Sequence, residues 1–423
     1  MKFKVAVVGG GWAGCAAALT LAEAGVSVTL YESSRTLGGR ARRVEFEGQL
    51  LDNGQHILLG AYQQTLQLIG RLHPAATHDG LWRLPLTLNQ PPDFSLTCPR
   101  LPAPLHLLAG LLGAQGLSWR EKLAAARWAH VLLNYTDTPD LLTVSQLTHR
   151  QPEKLRRLLW HPLCVSALNT PPEMASAKVF RDVIRVAFGG RNQHSDLLLP
   201  RRDLTALFPA PAATRLVELG GEVHLSCRVT ALDATAGAVT LGIRDDTAVY
   251  SHVILAVAPQ HLAGLAAPIP ELESVVRDVA AYCYQPIATT YVQYDPAFRL
   301  SKPLFALADG PAQFVFDRGQ SHGQAGLLAF VASAAANLPA DWPDQAEAQL
   351  QRVIHPGPAR WRKSIVEKQA TYACVPNMAR PAVRTAHPRI FLAGDYTAGP
   401  YPATLESATL SGVQSARALL EHS

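Results

Sequence analysis

The sequence predicts an α/β protein in which a Rossmann-type domain is interleaved with an α+β substrate domain. Three observations lead there: a strand, glycine turn, helix and second strand at the N-terminus, two later stretches that return to the same alternation, and two intervening segments of different character. A chain of 423 residues is too long for one ordinary core, which fits two domains.

The first unit is the most legible. Residues 3–8 are a β-prone run, 9–14 a turn and 15–24 an Ala/Leu-rich helix closed by Gly25, and 26–31 form a second strand. A short crossover of this kind makes the two strands parallel neighbours. Residues 204–219 read as a helix closed by Gly220-Gly221, followed by strands at 222–225, 228–233, 238–243 and 252–257. The last return, 389–423, is a strand at 390–393, a Gly-rich turn and a C-terminal helix. These returns predict one domain from 1–84, 201–259 and 376–423. The remaining 85–200 and 260–375 form the substrate domain, the first part Leu-rich and mostly helical, the second with a helix near 271–281 and strands at 287–294 and 326–332.

Composition narrows the function. Hydrophobic residues make up 48% and charged residues 17%, yet no run of about twenty uncharged apolar residues could span a bilayer. A net charge of +5 without a basic block argues against nucleic acid as a partner. The first strand begins almost at once, with no signal-like apolar stretch before it, so a cytoplasmic protein is expected. Cys15, Cys98, Cys164, Cys227, Cys283 and Cys374 are scattered, without the spacing of a disulfide framework, zinc ribbon or dithiol centre. The histidines show no metal-ligand spacing either, and no metal is expected.

The chemistry is carried by Gly9-Gly10-Gly11-Trp12-Ala13-Gly14, a G-x-G-x-x-G between strand and helix. Gly9 permits the tight turn, Gly11 removes the Cβ that would block a pyrophosphate, and Gly14 lets helix and strand pack closely. The backbone amides of the turn, Trp12 and Ala13 included, and the helix dipole hold the phosphates. Glu32, at the end of the second strand, can accept hydrogen bonds from both ribose hydroxyls and disfavours a 2′-phosphate. A second glycine pair in Leu37-Gly38-Gly39-Arg40 brings another backbone up to an extended dinucleotide, and Arg40 can neutralise phosphate charge.

In this tandem the sequence resembles the flavin amine-oxidase and phytoene-desaturase superfamily. The resemblance continues at Asp52-Asn53-Gly54-Gln55-His56, at residues 226–232, at 253–259, and in Gly394-Asp395 and residues 401–408. It implies non-covalent FAD. Main-chain groups at Val229 would meet the adenine, Asp395 the ribityl chain, and a helix N-terminus near Thr404 and Leu405 the negative charge of a reduced ring. More narrowly, the 52–56 string with Gly60-Ala61-Tyr62, residues 200–205 and residues 403–408 resemble the hydroxysqualene dehydroxylase family of hopanoid biosynthesis.

That likeness implies replacement of an allylic hydroxyl on a long polyprene by hydrogen, with hydride from reduced flavin N5, a proton donor at the oxygen and a dry apolar cavity. The implied acid is His56, with Gln55 and Glu406 as secondary candidates; Glu406 alternatively caps its own helix. Tyr62, Tyr396 and Tyr401 are candidates to line the site. Residues 105–118, with Trp119, Arg120 and Lys122 after them, fit either a membrane-facing helix or one buried beneath the substrate domain. The partners expected are thus an apolar isoprenoid, an electron donor that the sequence does not identify, and peripheral contact with a membrane. A phytoene-type desaturase uses the same flavin site in the oxidising direction, and a flavin-free prenyl-lipid carrier shares the architecture.

Overall fold

The computed structural model describes residues 3–73, 80–134, 138–244 and 246–421. Its central sheet has five strands in the order Glu222–His224, Ser27–Tyr31, Lys4–Val8, His252–Leu255, Ile390–Leu392, every neighbouring pair parallel. Three distant stretches of chain therefore build one Rossmann-type sheet. The inner strands are continuous apolar runs because both faces of a parallel sheet are covered.

One cover is the helix Trp12–Glu23. Ten of its twelve residues are buried, which explains why it is alanine-rich all round instead of amphipathic. It is pressed against the glycine turn on one side and the last helix, Leu405–Leu420, on the other. A Cβ on Gly14 would lie 1.9 Å from the Gly9 carbonyl oxygen, and one on Gly412 would lie 2.2 Å from that of Ala13. Gly9 itself sits at φ +112°, a conformation that side chains rarely adopt.

The helix expected over 204–219 is broken into Leu204–Leu207 and Pro209–Glu218. The break falls at Phe208 (φ −142°), since the residue before a proline is pushed out of the helical region. Asp203 caps the first piece by accepting the Ala206 N–H at 3.0 Å. The strands Val229–Ala234 and Val239–Ile243 appear close to their expected positions, but with Asp246–Tyr250 they form a separate antiparallel sheet.

A second five-stranded sheet is antiparallel, in the order Leu304–Ala306, Phe314–Asp317, Leu327–Ala332, Tyr284–Gln293, Trp361–Tyr372. Its twelve-residue edge strand escaped the sequence reading because Arg362, Lys363, Glu367 and Lys368 mask the alternation. Charge on an edge strand is a common guard against edge-to-edge pairing.

A cluster of helices packs mainly on itself: Leu105–Gly113, Trp119–Asn134, Val144–Thr148 and Ala177–Phe188, and a helical run made of Glu153–Leu155, a π-helical Arg156–Trp160 and His161–Leu168. The 85–200 segment also contains a hairpin, Thr87–Gln90 with Phe94–Thr97. The apolar run beginning at Leu105 stays helical only to Gly113. It is half-buried: His106, Leu107 and Leu111 face inward, while Leu105 and Leu108 are exposed. Among the described residues, no helix is long and apolar enough to cross a membrane.

Candidate active site

A cavity of about 790 Å³ runs from the glycine turn to the Leu-rich helices. At one end its wall is Gly9, Gly11, Trp12, Ala13, Glu32 and the 38–42 segment; at the other it is apolar, with Leu107, Leu111, Leu132, Phe188 and Phe316 among its walls.

The polar end is cut to fit FAD. Gly11 has ordinary extended backbone (φ −74°, ψ −178°) and caps the first helix; a Cβ there would meet only Gly39 Cα, at 3.9 Å, and so would stand in the cradle itself. The facing turn carries Gly38 at φ +116° and joins Gly11 by a backbone bridge. Glu32 accepts the Gly10 N–H at 2.7 Å on one carboxylate oxygen and the Ser34 N–H at 2.7 Å on the other. Each oxygen keeps lone pairs for ribose hydroxyls, and two backbone bonds hold them in place. Val229 does not line the cavity, but Cys227, two residues earlier, donates its N–H to the Glu32 carbonyl oxygen at 2.8 Å, so the start of that strand lies beside the Glu32 end.

Arg40 and Asp395, expected at phosphate and ribityl positions, pair with each other at 2.6 Å, while Arg40 also donates to the Ala370 carbonyl at 2.8 Å. Gly394 and Asp395 both line the cavity, as do Thr404 and Leu405. Thr404 caps the helix Leu405–Leu420 by accepting the Ser407 N–H at 3.1 Å, so the positive end of a sixteen-residue helix faces the cavity. Tyr62 and Tyr401 also line it, ring against edge at 6.2 Å, and burial pushes the Tyr401 hydroxyl up to about 12.

Glu406 is the clear departure. It is 2% exposed, lies outside the cavity wall, and accepts the N–H groups of Gln64 and Thr65 (2.9 Å each) and the Thr65 hydroxyl (2.8 Å). It therefore caps the helix Gln63–Leu72, neither its own helix nor a substrate. The reason is directional: residues of the first turn point around the helix, and Glu406 falls on the side away from the cavity.

Gln55 lines the cavity but is tightly held. Its carbonyl oxygen accepts from Arg318 at 2.8 Å, and its amide donates to the His56 carbonyl at 3.2 Å. Arg318, with no exposed surface, also donates to the Asp52 carboxylate at 3.2 Å and to Gln324 at 2.6 Å. Burial pushes the Asp52 carboxyl above the usual range despite this cation, while burial and then Arg318 push His322 down to about 2. No motif marks Arg318; it arrives from the second sheet.

His56 donates from Nδ1 to the Gly54 carbonyl at 2.7 Å, in the tautomer that leaves Nε2 as an acceptor. Burial lowers its pKa, against the pull of Gly54 and Asp52. A carboxylate that sequence reasoning missed, Glu367, stands in the same wall and accepts from Asn53 at 2.9 Å. The unread edge strand hid it; alternation of Ile365, Glu367 and Gln369 on one face was the available signal.

Because Gly11 has room and an ordinary conformation, Gly11→Val is expected to leave the fold intact and abolish flavin retention. Circular dichroism together with absorbance of the purified protein checks this. Arg318→Met leaves Asp52 buried without its cation and is expected to cost about 3–5 kcal/mol, read as a lowered apparent Tm; an unchanged Tm contradicts it.

Residues 12–420 match the family described as flavin containing amine oxidoreductase. Over 98% of both chains, the protein is 26% identical to a hydroxysqualene dehydroxylase of Sinorhizobium fredii. It is also 26% identical to a 15-cis-phytoene desaturase of Narcissus pseudonarcissus, over 99% of this chain and 79% of that one. Among solved structures, an oxidoreductase from Methanosarcina mazei superposes with a TM-score of 0.72 at 15% identity, covering 98% of this chain and 99% of the other, a likeness of fold. The chain belongs to the flavin-containing amine oxidoreductase family and is an FAD-dependent oxidoreductase.

Proposed function

We propose that the chain removes the allylic hydroxyl of hydroxysqualene reductively, giving squalene and water. The observation that carries this is the single cavity that joins a dinucleotide cradle to an apolar chamber. Full-length similarity to hydroxysqualene dehydroxylases supports the choice of substrate. Reduced FAD, when bound, supplies the hydride that replaces the hydroxyl.

The remaining tasks belong to the protein. The start of the first helix, Gly11 to Gly14, with Gly39 facing it, binds the pyrophosphate, and Glu32 the ribose, while the amides of Gly9, Gly10 and Gly38 are engaged by Tyr31, Glu32 and Gly10. The chain leading into the strand Val229–Ala234, held beside Glu32 at Cys227, meets the adenine, Gly394 and Asp395 bind the ribityl chain, and the helix capped by Thr404 favours negative charge on the ring. Arg40 acts through Asp395, fixing its carboxylate in one orientation. The apolar walls exclude water, which would otherwise recapture an allylic cation.

His56 faces the hydroxyl with Nε2. Neutral, it accepts the hydroxyl proton in a hydrogen bond and orients the C–O bond; as imidazolium it protonates the leaving oxygen, so that one proton and one hydride convert the alcohol to alkene hydrocarbon and water. Glu406 is a positioning residue that anchors the helix beside Tyr62.

Anaerobic incubation of the reduced protein with hydroxysqualene and with phytoene, read by mass spectrometry, tests the reading. Squalene is expected; turnover of phytoene alone favours a desaturase, and a colourless protein that refuses FAD favours a lipid carrier. Since the His56 pKa is lowered, its acid form is scarce at neutrality and grows as pH falls. The dehydroxylation rate is expected to rise by up to about tenfold per unit of falling pH above that pKa. A rate independent of pH across that range, or His56→Phe with the same profile, assigns the proton elsewhere.

A further inference from the structure

The helices Leu105–Gly113 and Trp119–Asn134 have two apolar faces. Leu107 and Leu111 of the first, and Ala129 and Leu132 of the second, line the cavity. Outside stand Leu105, Leu108, Trp119 and Leu123, exposed by 53%, 42%, 68% and 48%. Large apolar side chains gathered on neighbouring helices mark a surface that something covers.

The charge around them says what covers it. Arg100, Arg120 and Arg127 are exposed, and Lys122 lies over the Trp119 ring at 4.8 Å. The acid of this stretch, Glu121, is engaged by the Ser118 N–H and hydroxyl at 2.7 and 2.8 Å. On the same helix as Trp119 and Leu123, the Trp128 ring packs on Trp160 at 4.3 Å, which sets the helical run that starts at Glu153 against it.

There a second cavity, of about 480 Å³, is rimmed by Arg156, Arg157 and His161, two arginines against the one acid Glu153, and floored mainly by apolar side chains. It shares the walls Leu88, Pro162 and Phe314 with the larger cavity, so one layer of side chains separates the two. The rim is the π-helical turn Arg156–Trp160, a widened geometry frequent at functional sites.

We propose that this face lies on an anionic lipid bilayer, with Trp119 and Leu123 in the headgroup region, and that the arginine-rimmed cavity is the door through which the substrate leaves the bilayer for the chamber. Basic side chains near an anionic surface and an apolar residue pair below them are the two signals that stable attachment of a non-spanning protein requires. The door rests on the reading of the substrate as a long isoprenoid; the docking face does not.

The FAD-loaded full chain is sedimented with vesicles of phosphatidylcholine alone and of phosphatidylcholine mixed with phosphatidylglycerol. Binding to the mixed vesicles, weakened by salt, is expected. Trp119→Ala with Leu123→Ala is expected to lower the partition about tenfold or more, with flavin absorbance unchanged as the control for folding. The double variant is also expected to lose turnover of vesicle-borne substrate while keeping that of detergent-dispersed substrate. Wild-type protein left in the supernatant, or a double variant that partitions like wild type, overturns the docking face. Equal turnover of both dispersions by a variant that no longer binds vesicles overturns the door. Absence of any turnover by wild type, with vesicle binding intact, counts against the proposed reaction and the door together and leaves the docking face standing.

Discussion

The closeness of the first helix to its surroundings governs this structure. With the carbonyl oxygen of Gly9 occupying the space of a Gly14 Cβ, and that of Ala13 the space of a Gly412 Cβ, the helix is locked between the first turn and the last helix. Its N-terminus therefore opens at a fixed place, at the carboxyl end of the central strand of the parallel sheet. The Glu32 carboxylate is tied to the same turn through Gly10. Anion attraction at a helix end falls off within a turn, so a shift of the helix would cost the cradle its function.

A second constraint joins the cradle to the substrate side. Arg318, wholly buried, reaches from the end of a strand in the antiparallel sheet to Asp52 and Gln55 in the segment that passes the cavity. Such a pair contributes little net stability over an apolar filling, but it admits one arrangement of its partners, since a displaced carboxylate would be left buried and unpaired. The registration of the Asp52–His56 segment against the second sheet, reinforced by the Tyr291 hydroxyl on the Asp52 carbonyl at 2.9 Å, sets where Gln55 and His56 meet the chamber.

The two ends of the cavity divide the labour. Polar groups at the cradle are satisfied by the backbone and by each other, as in the Arg40–Asp395 pair, while the chamber offers aliphatic and aromatic walls. Charge is thereby confined to the end where the protein binds a charged dinucleotide, and the reacting region stays dry.

The sequence by itself determined the cradle: a glycine turn between strand and helix, an acid after the second strand and a Gly-Asp segment near the end are local patterns, readable because each depends on neighbours a few residues away. The antiparallel sheet was half legible, two of its inner strands, Leu327–Ala332 and Tyr284–Gln293, marked by apolar runs, the short Phe314–Asp317 unread and the edge strand Trp361–Tyr372 hidden by charge. Only the tertiary structure decided that Glu406 caps a neighbouring helix, that Arg40 meets Asp395, that Gln55 is held by Arg318, and that Glu367 stands in the cavity wall. Those contacts join residues hundreds of positions apart, and a side chain's partner at such separation is set by how sheets and helices pack, which no local pattern encodes.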